Sequence, residues 1–472
     1  MKKTVFLAIL TGILSSPTGH AQMSYEYAKD RTLSVGTYGR IGVDWSFDNN
    51  GSIGRRLNLN NMGSIGGRLE EQDYVELAMA LGFKPFRQDD STRIITQMRL
   101  AAYSTSLSLF ANTSSSALGG LTLAIPELFV EARNINNSHI NVWIGARLYR
   151  GPDVHIADYR YFNDYSGQGF GVEFRKTRFA ALFVSSTDTT ASYPPYFFID
   201  IASGTPSLAM RQRTIWTLQH DIHLSDNNIL TLLGEYHRLG NASEQPDSIL
   251  DHYTFPVDHG FVAGVRLETS FRSLNKSYNR LALRYGTRIA NGGDGGMSRT
   301  WLTYGAPDLE HEDFSGAYSI SLVDEILVNH GSRFTTNAYL VYTKNKGAAA
   351  GNDMAESYFD KMVYNRKEDL TMGMREAWYI ADKFHLLGEV HFSQRKDGTE
   401  EWARCTKLSL APVLVPTGSR DYWARPQIRF VTSVAFYNKY AKENLYSPYL
   451  QYTGPKSVGY YLGFKAEWWI WN

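Results

Sequence analysis

The sequence has little of what marks helical membrane proteins, disulfide-stapled domains or nucleic-acid binders. Its single cysteine, Cys405, excludes a disulfide or a cysteine-based metal site within the chain. After residue 21 no apolar run approaches the ~20 residues that a membrane-spanning helix needs, because even residues 408–416 are interrupted by two prolines and a serine. The chain has 48 basic and 47 acidic residues, a balance that gives no indication of a nucleic-acid partner.

Sequence signatures of catalysis and metal binding are also lacking. There is no Gly-x-Ser-x-Gly elbow, no His-Glu-x-x-His pair and no phosphate-binding loop. His155 has no partner histidine or carboxylate cluster at zinc-ligand spacing, so we interpret it as a structural hydrogen-bonding residue. We therefore expect no catalytic residues, no metal and no cofactor, although a Ser-His-Asp site assembled from distant strands would leave no signature in the sequence.

The first 21 residues have the layout of a secretory signal peptide. Lys2 and Lys3 begin a segment whose apolar stretch, residues 4–14, is too short for a spanning helix, and Ala21 ends a run of small and polar residues. We expect export and cleavage after Ala21. No linker or change of composition divides residues 22–472, so we predict a single domain there.

The remaining chain alternates between apolar and polar residues with a period of two, which is typical of β-strands. In the last segment Lys465, Glu467 and Trp469 lie on one face, while Phe464 and Trp468 lie on the other. A charged side chain that faces lipid at the bilayer midplane costs ~2–4 kcal/mol, so the charged face must line an interior. The same alternation recurs in residues 35–44, 74–81, 141–149 and 425–430.

Apolar and charged faces in alternation indicate an all-β transmembrane antiparallel β-barrel. The high content of aromatic residues, 14%, with a negative mean hydropathy of −0.32 fits a barrel better than a soluble enzyme or a helical membrane protein. We predict a bacterial outer-membrane protein that contacts lipid with its apolar faces and passes small hydrophilic solutes through a hydrated lumen.

Several sequence blocks resemble the maltoporin family of sugar-specific porins. They are GTYGR at 36–40, GARLYR at 145–150, DVHI at 153–156, SGQGFG at 166–171, RPQIRF at 425–430 and GFKAEWW at 463–469. The resemblance extends over nearly the whole mature chain, and DVHI is its most specific block. It implies a barrel of 18 strands, a homotrimer, and a third loop that folds into the barrel and narrows it.

The resemblance also implies facilitated diffusion of sugars, such as maltose, maltodextrins or related oligosaccharides. A pyranose has an apolar face that stacks on an aromatic ring, while its hydroxyl groups need hydrogen-bonding partners at the ring edge. The matching sugar-stacking aromatics are Tyr38, Tyr74 and Trp469. The matching residues of a polar track are Arg40, Arg68, Glu76, Asp153 and Asp158, to which the lumen-facing Arg147 and the constriction residues Arg160 and Tyr161 are added.

The sequence departs from the family pattern at several positions. Arg160 stands where the family has its constricting tyrosine, which predicts a cationic narrow point, and Gly151-Pro152 precedes Asp153 where an arginine is usual. Only Phe110 stands in for the second-loop tryptophan that reaches the neighbouring subunit. The chain ends Trp471-Asn472 rather than on an aromatic residue.

Two alternatives remain open from the sequence. Arginines and carboxylates can simply fill a hydrated lumen and pair with each other, which would make the protein a general diffusion porin without a saturable sugar site. An outer-membrane barrel hydrolase is the alternative from another class of function.

Overall fold

The computed structural model describes most of the chain between residues 23 and 470. The described residues are 23–46, 54–85, 90–104, 121–165, 167–185, 197–200, 205–208, 212–240, 257–292, 303–308, 310–311, 313–349, 354–358 and 361–470. The predicted signal peptide, Phe110 and the terminal Trp471-Asn472 lie outside the described residues.

The fold is a closed barrel of 18 antiparallel strands among the described residues, which confirms the all-β prediction and its strand number. The barrel closes where its first strand pairs with its last strand, from Thr37 opposite Ile470 to Trp45 opposite Leu462. The barrel strands are β2 Arg31–Trp45, β3 Tyr74–Phe83, β4 Arg93–Ser104, β5 Leu121–Arg133, β6 Ile140–Arg147, β9 Gly167–Phe174, β10 Thr177–Ser185, β13 Gln212–Ser225, β14 Asn228–Leu239, β15 Asp258–Ser270, β16 Tyr278–Thr287, β17 Tyr318–Asn329, β18 Phe334–Lys346, β21 Arg366–Ala381, β22 Phe384–Asp397, β23 Ala403–Leu414, β24 Gln427–Tyr437 and β25 Val458–Ile470.

Short strands and helices lie in the connections. The short strands are β1 Met23–Ala28, β7 Asp153–Val154, β8 Tyr159–Arg160, β11 Phe197–Asp200, β12 Thr205–Leu208, β19 Met354–Tyr358 and β20 Lys361–Tyr364. The helices are α1 Lys439–Glu443 and α2 Pro448–Thr453, with 3-10 turns at Ile135–Asn137 and Arg288–Ala290. Ser447 caps α2 by accepting a hydrogen bond from the Leu450 amide. None of the helices in the described ranges is long and apolar enough to cross a membrane.

The two faces of β25 and β3 follow the predicted parity. In β25 Lys465 and Glu467 are buried inside, while Phe464 is 49% exposed outside. In β3 the inward Glu76 is buried and the outward Leu77 and Leu81 are exposed. Period two places every second residue on the outer wall, so the alternation in the sequence translates directly into an apolar outside and a polar inside.

Two connecting segments pack against the inner face of the barrel wall. The mouth segment, residues 54–73 between β2 and β3, buries Leu57, Leu59 and Met62 at 2% exposure or less. The turn segment, residues 415–426 between β23 and β24, buries Tyr422, whose hydroxyl donates to the Asn337 Oδ1 of β18 at 3.0 Å. The core of the molecule therefore lies largely inside the barrel, between these segments and the wall.

Candidate functional site

Tyr38, on the inner face of β2, is the centre of a cluster of charged groups. Arg68 Nη2 and Arg40 Nη1 donate to its hydroxyl oxygen at 2.9 and 3.1 Å, and the hydroxyl donates to Glu467 Oε1 at 3.3 Å. Glu71 Oε2 lies 2.8 Å from Arg40 Nη1 and 2.9 Å from Arg68 Nε. The structure thus brings together three predicted site residues, Tyr38, Arg40 and Arg68, that come from β2 and the mouth segment.

Tyr74 of β3 extends this cluster with a row of aromatic rings. Its ring centroid lies 5.8 Å from that of Tyr38 and 6.3 Å from that of Tyr103, and the Tyr103 ring is nearly parallel to it. The Tyr74 hydroxyl donates to Glu76 Oε2 at 2.6 Å, and Glu76 also forms an ion pair with Arg99. Tyr74 and Glu76 therefore lie side by side, as the parity of β3 predicted.

Trp469 of β25 lies in a second group of aromatic side chains. Its ring centroid is 5.7 Å from His155, which approaches edge-on, and 6.2 Å from Trp423 of the turn segment. The Arg425 guanidinium carbon is 4.1 Å from the centroid of the Trp469 ring, a cation–π contact. Arg425 thus covers one face of the indole and leaves at most the other for a solute.

The third-loop segment, residues 148–165 between β6 and β9, contacts strands from distant parts of the barrel. His155 Nδ1 accepts a hydrogen bond from Arg68 Nη1 at 3.1 Å. Burial, reinforced by the positive charge of Arg68, holds the pKa of His155 well below its ordinary value, so the ring is neutral at physiological pH. Burial alone would raise the pKa of Asp158, but Arg68, Arg160 and Arg40 outweigh it and lower that pKa. Asp158 is thus a carboxylate among guanidinium groups.

Asp153 and Arg160 face each other across the short hairpin of β7 and β8. Arg160 Nη1 lies 3.4 Å from Asp153 Oδ1 and donates to the Gly151 carbonyl oxygen at 2.9 Å. The Arg160 side chain is 13% exposed and the Asp153 side chain 25% exposed, so the pair is partly accessible to solvent. The arginine at this position is neutralised locally by its own hairpin.

Tyr161 is enclosed rather than accessible. Its side chain is 1% exposed and its hydroxyl donates to the carboxylate of Glu325 in β17. Asn337 Nδ2 donates to the other carboxylate oxygen at 2.9 Å, and the Tyr278 hydroxyl lies 3.3 Å from the first. Tyr161 therefore anchors the third-loop segment to the wall, a role that the sequence did not indicate.

Arg147 is separate from the Tyr38 cluster. Its guanidinium carbon lies 4.9 Å from the Phe129 ring centroid and 5.3 Å from that of Trp143, and its Nη1 is 3.5 Å from Glu131 Oε1. These partners belong to β5 and β6. The structure places Arg147 on the inner face, as predicted, but among aromatic side chains of its own region of the wall.

Four residues of the site were missed by sequence reasoning, namely Glu71, Trp423, Arg425 and Glu467. Glu467 accepts hydrogen bonds from Arg425 Nε at 2.8 Å and from Arg429, so it links β24, β25 and the turn segment. Glu467 could have been predicted from the sequence, because it lies on the same strand face as Trp469. No comparable signal exists for Glu71 and Trp423, which lie in irregular segments.

The described residues contain no group of three or more histidine, cysteine or acidic side chains that could hold a metal ion. The arrangement of the site is instead one of aromatic planes beside paired charges. Such a surface offers stacking and hydrogen bonding at the same time.

Comparison with known proteins gives a match over most of the chain. A model of the LamB porin family matches residues 33–469. Among solved structures, OmpF of Salmonella typhi in complex with daunomycin has 10% sequence identity and a TM-score of 0.42, with 95% of this chain and 100% of that chain covered. In vitro folded OmpT, an outer membrane protein of Vibrio cholerae, has 8% identity and a TM-score of 0.39, with 93% and 97% covered.

Proposed function

Because the chain belongs to the LamB porin family, we propose that its barrel, an outer-membrane channel, carries sugars by facilitated diffusion along a lumen strip of aromatic side chains. The proposed solutes are maltose, maltodextrins or related oligosaccharides. The strip comprises Tyr38, Tyr74 and Trp469, and the polar track beside it comprises Arg40, Arg68, Glu76, Asp153, Asp158 and Arg160. Arg147 borders the lumen elsewhere on the wall.

The observation that carries the proposal is the close pairing of aromatic rings with charges on the inner wall. Tyr38 and Tyr74 are 5.8 Å apart at their centroids, and Arg40 Cζ lies 5.4 Å from the Tyr74 centroid. A sugar ring that stacks on such a plane meets charged donors and acceptors at its edge. Several weak contacts in succession let a solute bind and still leave, as conduction requires.

We further propose that the third-loop segment narrows the lumen. Its residues reach three separated parts of the wall, since His155 contacts Trp469 of β25, Tyr161 contacts Glu325 of β17, and Asn163 donates to Glu235 of β14. A segment bound at such points occupies the space between them. The Asp153–Arg160 pair would then border the passage with one charge of each sign.

Three further proposals concern the processing, domain organisation and assembly of the protein. We propose that residues 1–21 are a signal peptide, that residues 22–472 form a single barrel domain, and that three copies assemble as a homotrimer. The trimer is tested by the mass of the detergent-solubilised protein measured by light scattering, before and after heating.

Single-channel recording in planar bilayers tests the sugar proposal. We expect concentration-dependent block of the ion current by at least one sugar from a panel of maltodextrins, β-glucosides, sucrose and chitin fragments. A current that none of them affects would contradict a saturable site and favour a general diffusion porin. The general diffusion porin is supported by the ion pairs that Arg40, Arg68 and Arg160 form with carboxylates. An arginine in an ion pair has fewer N–H groups left to donate to a solute. Release of products from the same sugars would instead indicate a hydrolase.

A further inference from the structure

A cavity of about 420 Å³ lies between the mouth segment and α2, at the end of the barrel with the long connections. That volume is within the ~300–1,000 Å³ of small-molecule sites. The residues that line it are Arg56, Asn58, Leu59, Asn60, Asn61, Gly63, Pro448 and Gln451. The lining is rich in amide side chains, which both donate and accept hydrogen bonds, and none of its described residues is aromatic.

Backbone hydrogen bonds hold the two walls of the cavity together. The Tyr449 amide donates to the Arg56 carbonyl at 3.2 Å, and the Asn60 amide donates to the Tyr446 carbonyl at 3.2 Å. The Asn58 side chain is held in place within the mouth segment, because its Nδ2 donates to the Gly67 carbonyl at 2.9 Å. The cavity is therefore formed before any solute binds, which lowers the cost of binding.

Arg56 has binding capacity that the neighbouring arginines lack. Arg40 and Arg68 both form ion pairs with Glu71. Across the part of the chain that the structure describes, no hydrogen bond or ion pair joins the Arg56 side chain to another residue. Burial lowers the pKa of Arg56, and the more distant Glu71 offsets this only in part. The half-buried Arg56 guanidinium therefore gains from a ligand that supplies an acceptor oxygen.

The charges around Arg56 favour a neutral ligand. Besides the cation Arg40, three carboxylates act on Arg56 from a distance, those of Glu71, Glu70 and Asp158. The cavity therefore lacks the excess positive charge that would select an acidic sugar. Asn61 and Gln451 are exposed on the rim. The hydroxyl groups of a saccharide can form hydrogen bonds with amide side chains and with a guanidinium at the same time.

We propose that this cavity is an outer sugar subsite, which binds the hydroxyl groups of a neutral saccharide before the saccharide reaches the aromatic strip. The inference rests on the proposed sugar channel and adds to it a site without stacking. It predicts that the cavity governs capture from the long-connection side and has no part in capture from the opposite side.

The test measures sugar association rates from current block, with the blocking sugar added to one chamber at a time. Arg56→Gln should lower the association rate of sugar added on the long-connection side about tenfold, as expected for the loss of one charge-assisted hydrogen bond. The association rate from the opposite side should stay unchanged. Gln451→Ala, a substitution on the exposed rim that does not threaten folding, should lower the rate from the long-connection side by a smaller factor. Arg55→Gln is the matched control, because Arg55 stacks on Tyr452 at 4.3 Å and does not line the cavity.

The outcomes separate the two proposals. If sugars block the wild-type channel and neither Arg56→Gln nor Gln451→Ala changes an association rate, the outer subsite is wrong and the sugar channel stands. An equal fall of the association rate in Arg55→Gln would show that the effect comes from the positive charge at the channel mouth, and this result would also overturn the subsite. If no sugar blocks the wild-type channel, both proposals fail.

Discussion

Arg160 and Asp153 pair within one hairpin, so neither leaves a bare charge there. The two side chains pair at 3.4 Å across one hairpin. The sequence predicted a cationic narrow point from Arg160 alone. Its pairing with Asp153 could not be read from the sequence, because a tight turn between β7 and β8 brings the two residues together.

Replacing Arg160 by tyrosine should shift ion selectivity toward cations. The change removes one positive charge and leaves Asp153 unpaired. A unit charge ~4 Å from an ion in water-like surroundings is worth about 1 kcal/mol, or roughly fivefold in relative permeability. Reversal potentials in a KCl gradient measure this, and Arg160→Lys, which keeps the charge, is the control. An unchanged reversal potential in Arg160→Tyr would mean that Arg160 does not border the passage.

At the scale of elements, the strands were predictable and the segments inside the barrel were not. The parity that put Tyr38 with Arg40 and Tyr74 with Glu76 on one face is a local property of an extended chain, so the sequence displays it directly. The mouth and turn segments have no period, and their contacts join residues hundreds of positions apart, as when Lys407 Nζ binds Asn58 Oδ1 at 2.7 Å. Trp423 reaches the site through such a segment, and sequence reasoning missed it for that reason.

The anchoring of the third-loop segment depends on the Tyr161 hydroxyl. Tyr161→Phe removes a hydrogen bond to a buried carboxylate, worth about 1.5–3 kcal/mol, and should raise the open-channel current noise of single channels. Tyr159→Phe is the matched control, because the Tyr159 hydroxyl is 3.5 Å from Ser321 Oγ, at the limit of a hydrogen bond. Equal noise in both variants would show that the Glu325 contact does not restrain the segment.

The mouth segment needs glycine at position 67. Gly67 has a φ of +102°, and a Cβ there would lie 2.7 Å from His391 Nε2 and 3.2 Å from Lys407 Nζ. Gly67→Ala should therefore destabilise the barrel by about 1–3 kcal/mol more than a substitution that adds backbone strain alone. Urea unfolding in lipid vesicles, followed by tryptophan fluorescence, measures the difference.

Gly316→Ala supplies the comparison for Gly67→Ala. Gly316 also has a positive φ, +79°, but no atom of the residues that the structure describes lies within 4 Å of its added Cβ. Equal losses of unfolding free energy in the two variants would contradict close packing of the mouth segment on the wall.

At the scale of the whole molecule, one wall separates two environments. Exposed Leu408, Leu410 and Phe464 lie outside, while buried Lys407, Ser409 and Lys465 lie inside the same strands. The fold class and the strand faces follow from that alternation, whereas the solute depends on loop and lumen geometry that no local pattern encodes. The central claim is therefore that a lumen-facing ring, rather than the barrel alone, recognises the sugar.

The neighbouring tryptophans of β25 test this claim most directly. Trp469 faces the interior and Trp468 the outer wall, where its Nε1 lies 3.3 Å from Thr37 Oγ1. For a sugar that blocks the wild-type channel, Trp469→Ala should weaken the binding constant about tenfold, since stacking and apolar burial are lost together. Trp468→Ala should leave that constant within about twofold, as expected for a surface position away from the site. Equal binding constants in the two variants, whether both weakened or both unchanged, would contradict the aromatic strip.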